Sequence, residues 1–168
     1  MVRTAAYKAY SANPNFSDGK TLQEPPRNTV PSGFHSVDYQ ATEADAIRAG
    51  EELKNPYGYR DLTASTRGEF VFRTWCFPCH GPAGRGDGPV AMRGFPAPPP
   101  FNSANTMSLK DGRMFHIITY GQKNMPSYAS QVSENGRWMV ILHVRSLQRS
   151  AQATQASAIP PVSQEGKK

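Results

Sequence analysis

The sequence predicts a mainly α-helical fold, a domain of three to five short helices preceded by a long irregular arm. Three observations predict it. Apolar residues fall into three helix-like segments between residues 63 and 150, residues 1–62 show no sustained period of either kind, and 15 prolines and 14 glycines among 168 residues leave room for much loop and little regular structure. A chain of this length holds one core, not two.

Taken in order, the arm is punctuated by Pro14, Pro25, Pro26, Pro31 and Pro56 and contains one short helix signal, from Thr42 to Leu53, with a capping threonine, early acidic residues and Gly50 near its end. It has too few apolar residues for a core of its own and is expected to lie extended on a larger partner. The domain, residues 63–150, opens with a helix capped by Thr63 or Ser65 and carrying Phe70, Val71, Phe72 and Trp75. A glycine- and proline-rich loop covers 81–101. A second helix is expected from Ser108 or Leu109 to Tyr120, stopped by Gly121, and a third from near Ser133, with Glu134 in its first turn and Trp138, Ile141, Leu142 and Leu147 on its apolar face. Residues 151–168, rich in Gln, Ala and Ser, are expected to be a disordered tail.

The formal charge of +6 is unevenly placed. Residues 1–60 carry seven basic and seven acidic side chains, and residues 61–150 carry ten basic and five acidic. The basic residues are scattered singly with no nucleic-acid motif beside them, so a solvated surface or a weak docking field for an acidic partner is the better reading. No stretch approaches the eighteen or so apolar residues of a membrane span; the longest strongly apolar run is Trp138 to Leu142.

Chemistry enters at Cys76-Phe77-Pro78-Cys79-His80, a C-x-x-C-H sequence. On a helical turn, thiols three positions apart project to one side, where each can form a thioether to a haem vinyl group, and the next residue brings its imidazole beneath the iron. A zinc site would have to recruit two of His35, His116 and His143, a thioredoxin-like pair should follow a β-strand, and a disulfide between cysteines this close would close almost no loop. Covalent haem c, one per chain, held by Cys76, Cys79 and His80, is the reading that fits best. It also answers the shortage of core, because a porphyrin offers a large apolar surface for short helices, with the aromatic residues near the motif lining it.

The sixth iron position decides between electron transfer and ligand chemistry. Met125, in the loop Gly121-Gln122-Lys123-Asn124-Met125-Pro126, stands where the chain could cross the open haem face and is the candidate ligand. Met92 competes from the glycine-rich loop, Met114 and Met139 read as core filling, and bis-histidine ligation by His116 stays open. His143 reads as a core histidine, and Arg85-Gly86-Asp87 as a turn. Arg93 is a candidate for a haem propionate. With the iron closed on both sides the chain is an electron carrier and not an enzyme; no catalytic residue is assigned.

Residues 63–149 resemble class I cytochrome c throughout: Gly68 and Phe72, the C-F-P-C-H motif, Gly121 to Pro126, and Arg137 to Leu147. That resemblance implies a first helix crossing the last near Gly68, with His143 where the family usually has an aromatic residue. In the arm, Phe16 to Lys20, Pro25 to Gly33 and Asn55-Pro56, and in the domain Arg67-Gly68-Glu69, Gly86-Asp87-Gly88 and Arg93 to Pro96, are similar to the monohaem cytochrome subunit of bacterial alternative complex III. This closer resemblance implies a quinol-oxidising membrane complex, with a multihaem cytochrome and integral-membrane subunits as partners and a periplasmic carrier or terminal oxidase as electron acceptor. It also implies a place on the periplasmic side of the membrane, peripheral or held by a lipid anchor upstream of Met1. A free or lipid-anchored periplasmic carrier is the alternative, and a haem enzyme or gas binder ranks below it.

Overall fold

Side-chain caps set where the helices begin. In a computed structural model of the chain, which describes residues 5–29 and 38–158 (side chains only to 155), α1 spans Glu43–Glu52 and starts where the Thr42 hydroxyl accepts from the Asp45 amide. Helix α2, Leu62–Val71, starts at Asp61, whose carboxylate accepts from the Ala64 amide at 2.9 Å. The cap is therefore an aspartate just ahead of the expected Thr63 or Ser65. The helix then widens into one π-helical turn, Phe72–Cys76, closed by the Phe77 amide on the Phe72 carbonyl, and ends as α3, Phe77–His80. A 3₁₀ turn covers Ala91–Arg93, and α4, Ala104–Met107, is capped by Ser103. Helix α5 is Asp111–Tyr120, stopped as expected by Gly121 at φ +83°, and α6 is Glu134–Ala158. Among the described residues there is no strand, only isolated bridges between Ala12 and Lys20 and between Gln122 and Met125.

The chain divides into two units, residues 1–38 and 39–168, so the expected boundary near residue 62 moves to residue 38. The first unit is a hydrogen-bonded loop as far as it is described. Asn13 donates its amide to the Gly19 carbonyl, Thr21 donates to the Ser11 carbonyl, and the Gln23 amide reaches Asp18 and the Lys20 carbonyl. Polar local bonds replace an apolar core there, as its composition requires. Val30, Pro31, Gly33 and His35 lie outside the described residues, as does the chain from residue 159 onward.

Residues 39–53 belong to the second unit because α1 packs on α5. The two helices meet where glycine allows backbone contact: a Cβ on Gly112 would lie 2.0 Å from the Ala49 carbonyl oxygen, and one on Gly50 would press against Arg113. His116, buried on α5, holds the approach to α1 through a 2.8 Å bond between Nε2 and the Gln40 carbonyl, and Tyr120 donates to the Tyr39 carbonyl. The expected tail also differs. Residues 151–158 continue α6, since Ala and Gln are good helix formers and nothing before Pro160 interrupts them.

Helices α2 and α6 cross at Gly68, whose missing side chain admits the carbonyl of Met139; a Cβ there would stand 2.1 Å from that oxygen. One turn on, Phe72 is buried against the His143 ring at 4.8 Å, so the histidine occupies the aromatic place in the crossing. Burial pushes the His143 imidazole below its ordinary value, with Glu69 pulling weakly the other way. The folded state then binds this proton less readily than the unfolded chain. Its contribution is complete above about pH 6.5 and is lost as pH falls from there toward the depressed folded value. A His143→Phe variant should lose less stability than the wild type between pH 7.5 and pH 5 in urea titrations. Equal losses would remove His143 from the acid response.

Candidate functional site

The π turn and α3 put the three motif side chains on one stretch of helix. Cys76 closes the π turn, and Cys79 and His80 end α3; a π turn breaks the ordinary register at the position where two thiols must face the same way. Cys76 and Cys79 form no disulfide with each other. The loop after the motif folds back and occupies its carbonyls: Val90 donates to Pro78, Gly88 to Cys79 and Gly86 to His80, at 2.9, 3.2 and 2.9 Å. Glycine is required in this wrap. A Cβ on Gly88 would lie 2.4 Å from the Pro78 oxygen, and Gly86 sits at φ +80° with the Pro98 oxygen 2.3 Å from where its Cβ would be.

His80 stacks on Phe101, centroids 4.7 Å apart and planes 27° from parallel. Phe101 is in turn fixed by its amide on the Gly84 carbonyl and by the buried Gln148 of α6, which donates to its carbonyl at 3.0 Å. Burial pushes the His80 imidazole down to about 4, so the ring is neutral and keeps a lone pair. Its Nδ1 is buried without a partner among the described residues. Burial, with Cys79 beside it, pushes the Cys76 thiol up to about 12 and keeps that sulfur protonated. Two cysteine sulfurs and a neutral imidazole, placed on one stretch of helix, are the donor set that covalent haem needs. The residues fit the group: Cys76 and Cys79 would hold the porphyrin edge and His80 the iron. Bound there, haem supplies a one-electron couple.

Met125 lies in a tight turn. Gln122 and Met125 exchange both backbone bonds at 2.9 Å, Lys123 takes φ +52°, and Gly121 leaves no room for a Cβ beside the Met125 carbonyl, 2.6 Å away. The turn is tied to the end of α5, where Ser127 donates to the Thr119 carbonyl and the Tyr128 amide to that of Ile118. Tyr128, three residues beyond Met125, feels both cysteines: burial first, then Cys79 and Cys76, raise its phenol. Met125 is half-buried on this turn. The other methionines are placed differently, Met92 being 77% exposed and Met114 buried in the core.

Of the histidines that a zinc site would recruit, His116 is engaged with Gln40 and His143 packs on Phe72, while His35 lies outside the described residues. Among the described residues no group of three or more His, Cys, Asp or Glu side chains gathers as a metal site. Of the aromatic residues near the motif, Phe72 is buried, while Phe70 and Trp75 are 56% and 38% exposed. The buried face of α2 is Ala64, Gly68 and Val71, continued by Phe72, and Phe70 falls off it. Phe101 and Tyr128 were not among the residues the sequence singled out; each is distant from the motif along the chain, and only the fold brings them in. Arg93 stands exposed on its 3₁₀ turn.

A helical domain that presents two thiols and a neutral imidazole from one turn is a c-type cytochrome domain, whose role is to carry electrons on covalently bound haem. Residues 63–144 match the family model described as cytochrome c oxidase, cbb3-type, subunit III. That match points to an electron carrier. No curated protein matches the chain. Among solved structures, the chain is similar to one in the Kuenenia stuttgartiensis reducing HAO-like protein complex Kustc0457/Kustc0458. The identity is 28% and the TM-score 0.45, over 56% of this chain and 49% of that one, so it spans about half that chain's length. Among the described residues no helix is long and apolar enough to cross a membrane.

Proposed function

We propose that this chain is the monohaem cytochrome c subunit of a quinol-oxidising membrane complex of the alternative complex III type. It takes electrons from a multihaem cytochrome and passes them to a periplasmic carrier or a terminal oxidase. The observation that carries electron transfer is the donor set on one helical turn, Cys76, Cys79 and a neutral His80. One C-x-x-C-H sequence means one haem. Membership of a complex is supported by the motifs shared with that subunit. It is supported too by a first unit that is held by local polar bonds, which suits a surface laid on a partner. Because haem is attached covalently outside the cytoplasm, the periplasmic face of the membrane is the place proposed, with a peripheral or lipid-anchored attachment.

Detergent-solubilised membranes, run on a native gel and then in a denaturing dimension stained for covalent haem, test the reading. Stain at this chain's mass beneath a large complex that also contains a multihaem polypeptide is expected. Stain at the fast-running front would make the chain a free carrier, and absence of stain would overturn the haem itself.

Met125 is proposed as the second axial ligand. Met125→Ala should lower the reduction potential and let the ferrous form bind carbon monoxide at neutral pH, with covalent haem stain unchanged. A spectrum and potential like those of the wild type would hand the position to another residue.

A further inference from the structure

We propose that Arg137 is a positioning residue for Met125: from the first turn of α6 it bolts the base of the loop that carries the methionine, and so keeps the sulfur in place when the iron is oxidised. The inference rests on Met125 as the second axial ligand and adds the residue that holds it there.

The chain leaves α5 at Tyr120, runs through the Met125 turn and enters α6 at Glu134. The two ends of this excursion are fastened to each other at its base. Arg137 donates from Nη1 to the Thr119 hydroxyl at 2.5 Å, and the Thr119 carbonyl accepts from the Ser127 hydroxyl, also at 2.5 Å. The Tyr128 amide binds the Ile118 carbonyl, the Val132 amide that of Tyr128 and the Arg137 amide that of Ser133, each at 2.9 Å. Thr119 therefore holds α6 with its hydroxyl and the loop with its carbonyl. Met125 lies two residues before Ser127, so the tie made by Arg137 reaches it through one short fastened segment.

A tie between two helices does not require a charge, and a buried charge is costly. Arg137 is only 8% exposed, its Nε is buried without a partner, and among the described residues no carboxylate pairs with it. Burial works against its charge, with Glu134 pulling the other way. The same helix offers the contrast. Arg145, two turns on, pairs with Asp111 at 2.7 Å and binds the Leu109 carbonyl, an ordinary ion-pair tie between α6 and the start of α5. Arg137 has an aromatic floor in place of a carboxylate: its guanidinium lies 4.9 Å over the Phe115 ring, and Phe115 stacks on Trp138 at 4.2 Å. A planar cation laid on a ring and aimed at one hydroxyl keeps a single orientation, which a flexible amine or an apolar chain would not. The arrangement fixes direction at the expense of desolvation, since an apolar side chain of like volume would fill the place without that cost.

Electron carriage gives that fixed direction its use. A thioether is a soft ligand that favours the ferrous state, so in the ferric state its hold is weaker and the loop has to supply the rest. An added ligand reaches the sixth position only in the fraction of molecules whose Met125 turn has lifted, and its apparent affinity scales with that fraction. Loosening the base of the loop raises the fraction. Arg137 acts here through Thr119 and Ser127 and touches neither the sulfur nor the reacting centre.

The test titrates imidazole into the ferric, haem-bearing full chain and follows the weak red absorption band of a ferric iron–thioether bond. Arg137→Met keeps the volume and gives up the bond and the charge, and Thr119→Val removes only the hydroxyl; each should bind imidazole about tenfold more tightly than the wild type. Arg137→Met should do so with covalent haem stain unchanged and no fall in the urea midpoint, a separation that a merely structural role would not give. The two changes together should do no more than either alone, because they break one bond. Val140→Ala, a cavity in the buried face of the same helix, is the control: it should lower the urea midpoint and leave imidazole affinity as in the wild type. Wild-type affinity in both Arg137→Met and Thr119→Val overturns the proposal. So does a double variant in which the two effects multiply, or a Val140→Ala chain that takes imidazole as readily as Arg137→Met. Met125→Ala separates this proposal from the reading it rests on. Loss of the red band in Met125→Ala, with wild-type affinity in the Arg137 and Thr119 variants, keeps Met125 as the ligand and removes Arg137 alone, whereas a band that survives Met125→Ala removes the ligand and the positioning role with it.

Discussion

Gly68→Ala is expected to lower the stability of the domain by about 3 kcal/mol, read as a shift of the urea midpoint at unchanged slope. Alanine is the better helix former by about 1 kcal/mol, so propensity alone predicts the opposite sign. The crossing decides. A Cβ at residue 68 would lie 2.1 Å from the Met139 carbonyl oxygen and 2.7 Å from its carbon, and a helix backbone, unlike a side-chain tip, has no rotamer to escape into. Separating α2 from α6 would also loosen Phe72, among the most deeply buried side chains, from His143. Gly136→Ala is the control within the same pair of helices. Its Cβ would meet Val132 Cγ1 at 3.1 Å and Ser133 Oγ at 3.2 Å, both movable, so its effect should stay within about 1 kcal/mol. A Gly68→Ala domain as stable as the Gly136→Ala one would mean that the crossing is not the close contact described.

The Gly68 crossing is one of several features legible in the sequence. The stop at Gly121 and the Thr42 cap are local signals, each written in a few adjacent residues with a mechanical reason, and the structure carries both, while the crossing was implied by the resemblance to class I cytochrome c and is also present. The docking of α1 on α5 was not legible. It depends on Gly112 facing Ala49 and on His116 finding the Gln40 carbonyl, pairings between segments more than sixty residues apart that leave no trace in either one. The π turn at Phe72–Cys76 has no residue signature, and by widening the helix it rotates the side chains beyond it, which is why the exposure of Trp75 could not be read from a 3.6-residue period. Residues 151–158 misled through composition: Gln, Ala and Ser look like low complexity in isolation but extend a helix that is already nucleated.

Replacing both Cys76 and Cys79 by alanine should leave a chain without covalent haem and without a cooperative unfolding transition. Among the described residues the fully buried large side chains are Phe72, Phe115, Val140 and Ile141, a short inventory for a domain with so much loop. The neutral His80 ring and its unpartnered Nδ1 lie beside this cluster, stacked on Phe101. Covering roughly 300 Å² of porphyrin surface at about 25 cal/mol per Å² contributes on the order of 7 kcal/mol, comparable with the whole stability of a small domain. Losing both thioethers lets the group dissociate as the chain unfolds, so binding no longer holds the folded state at low haem concentration. The measurements are covalent haem stain, near-ultraviolet circular dichroism and urea titration. Met125→Ala, which leaves both sulfurs and His80 in place, should keep the stain and a cooperative transition. A double alanine variant that melts cooperatively near the wild-type midpoint would show that protein side chains alone close the core, and that haem is a passenger in this fold, not part of its frame.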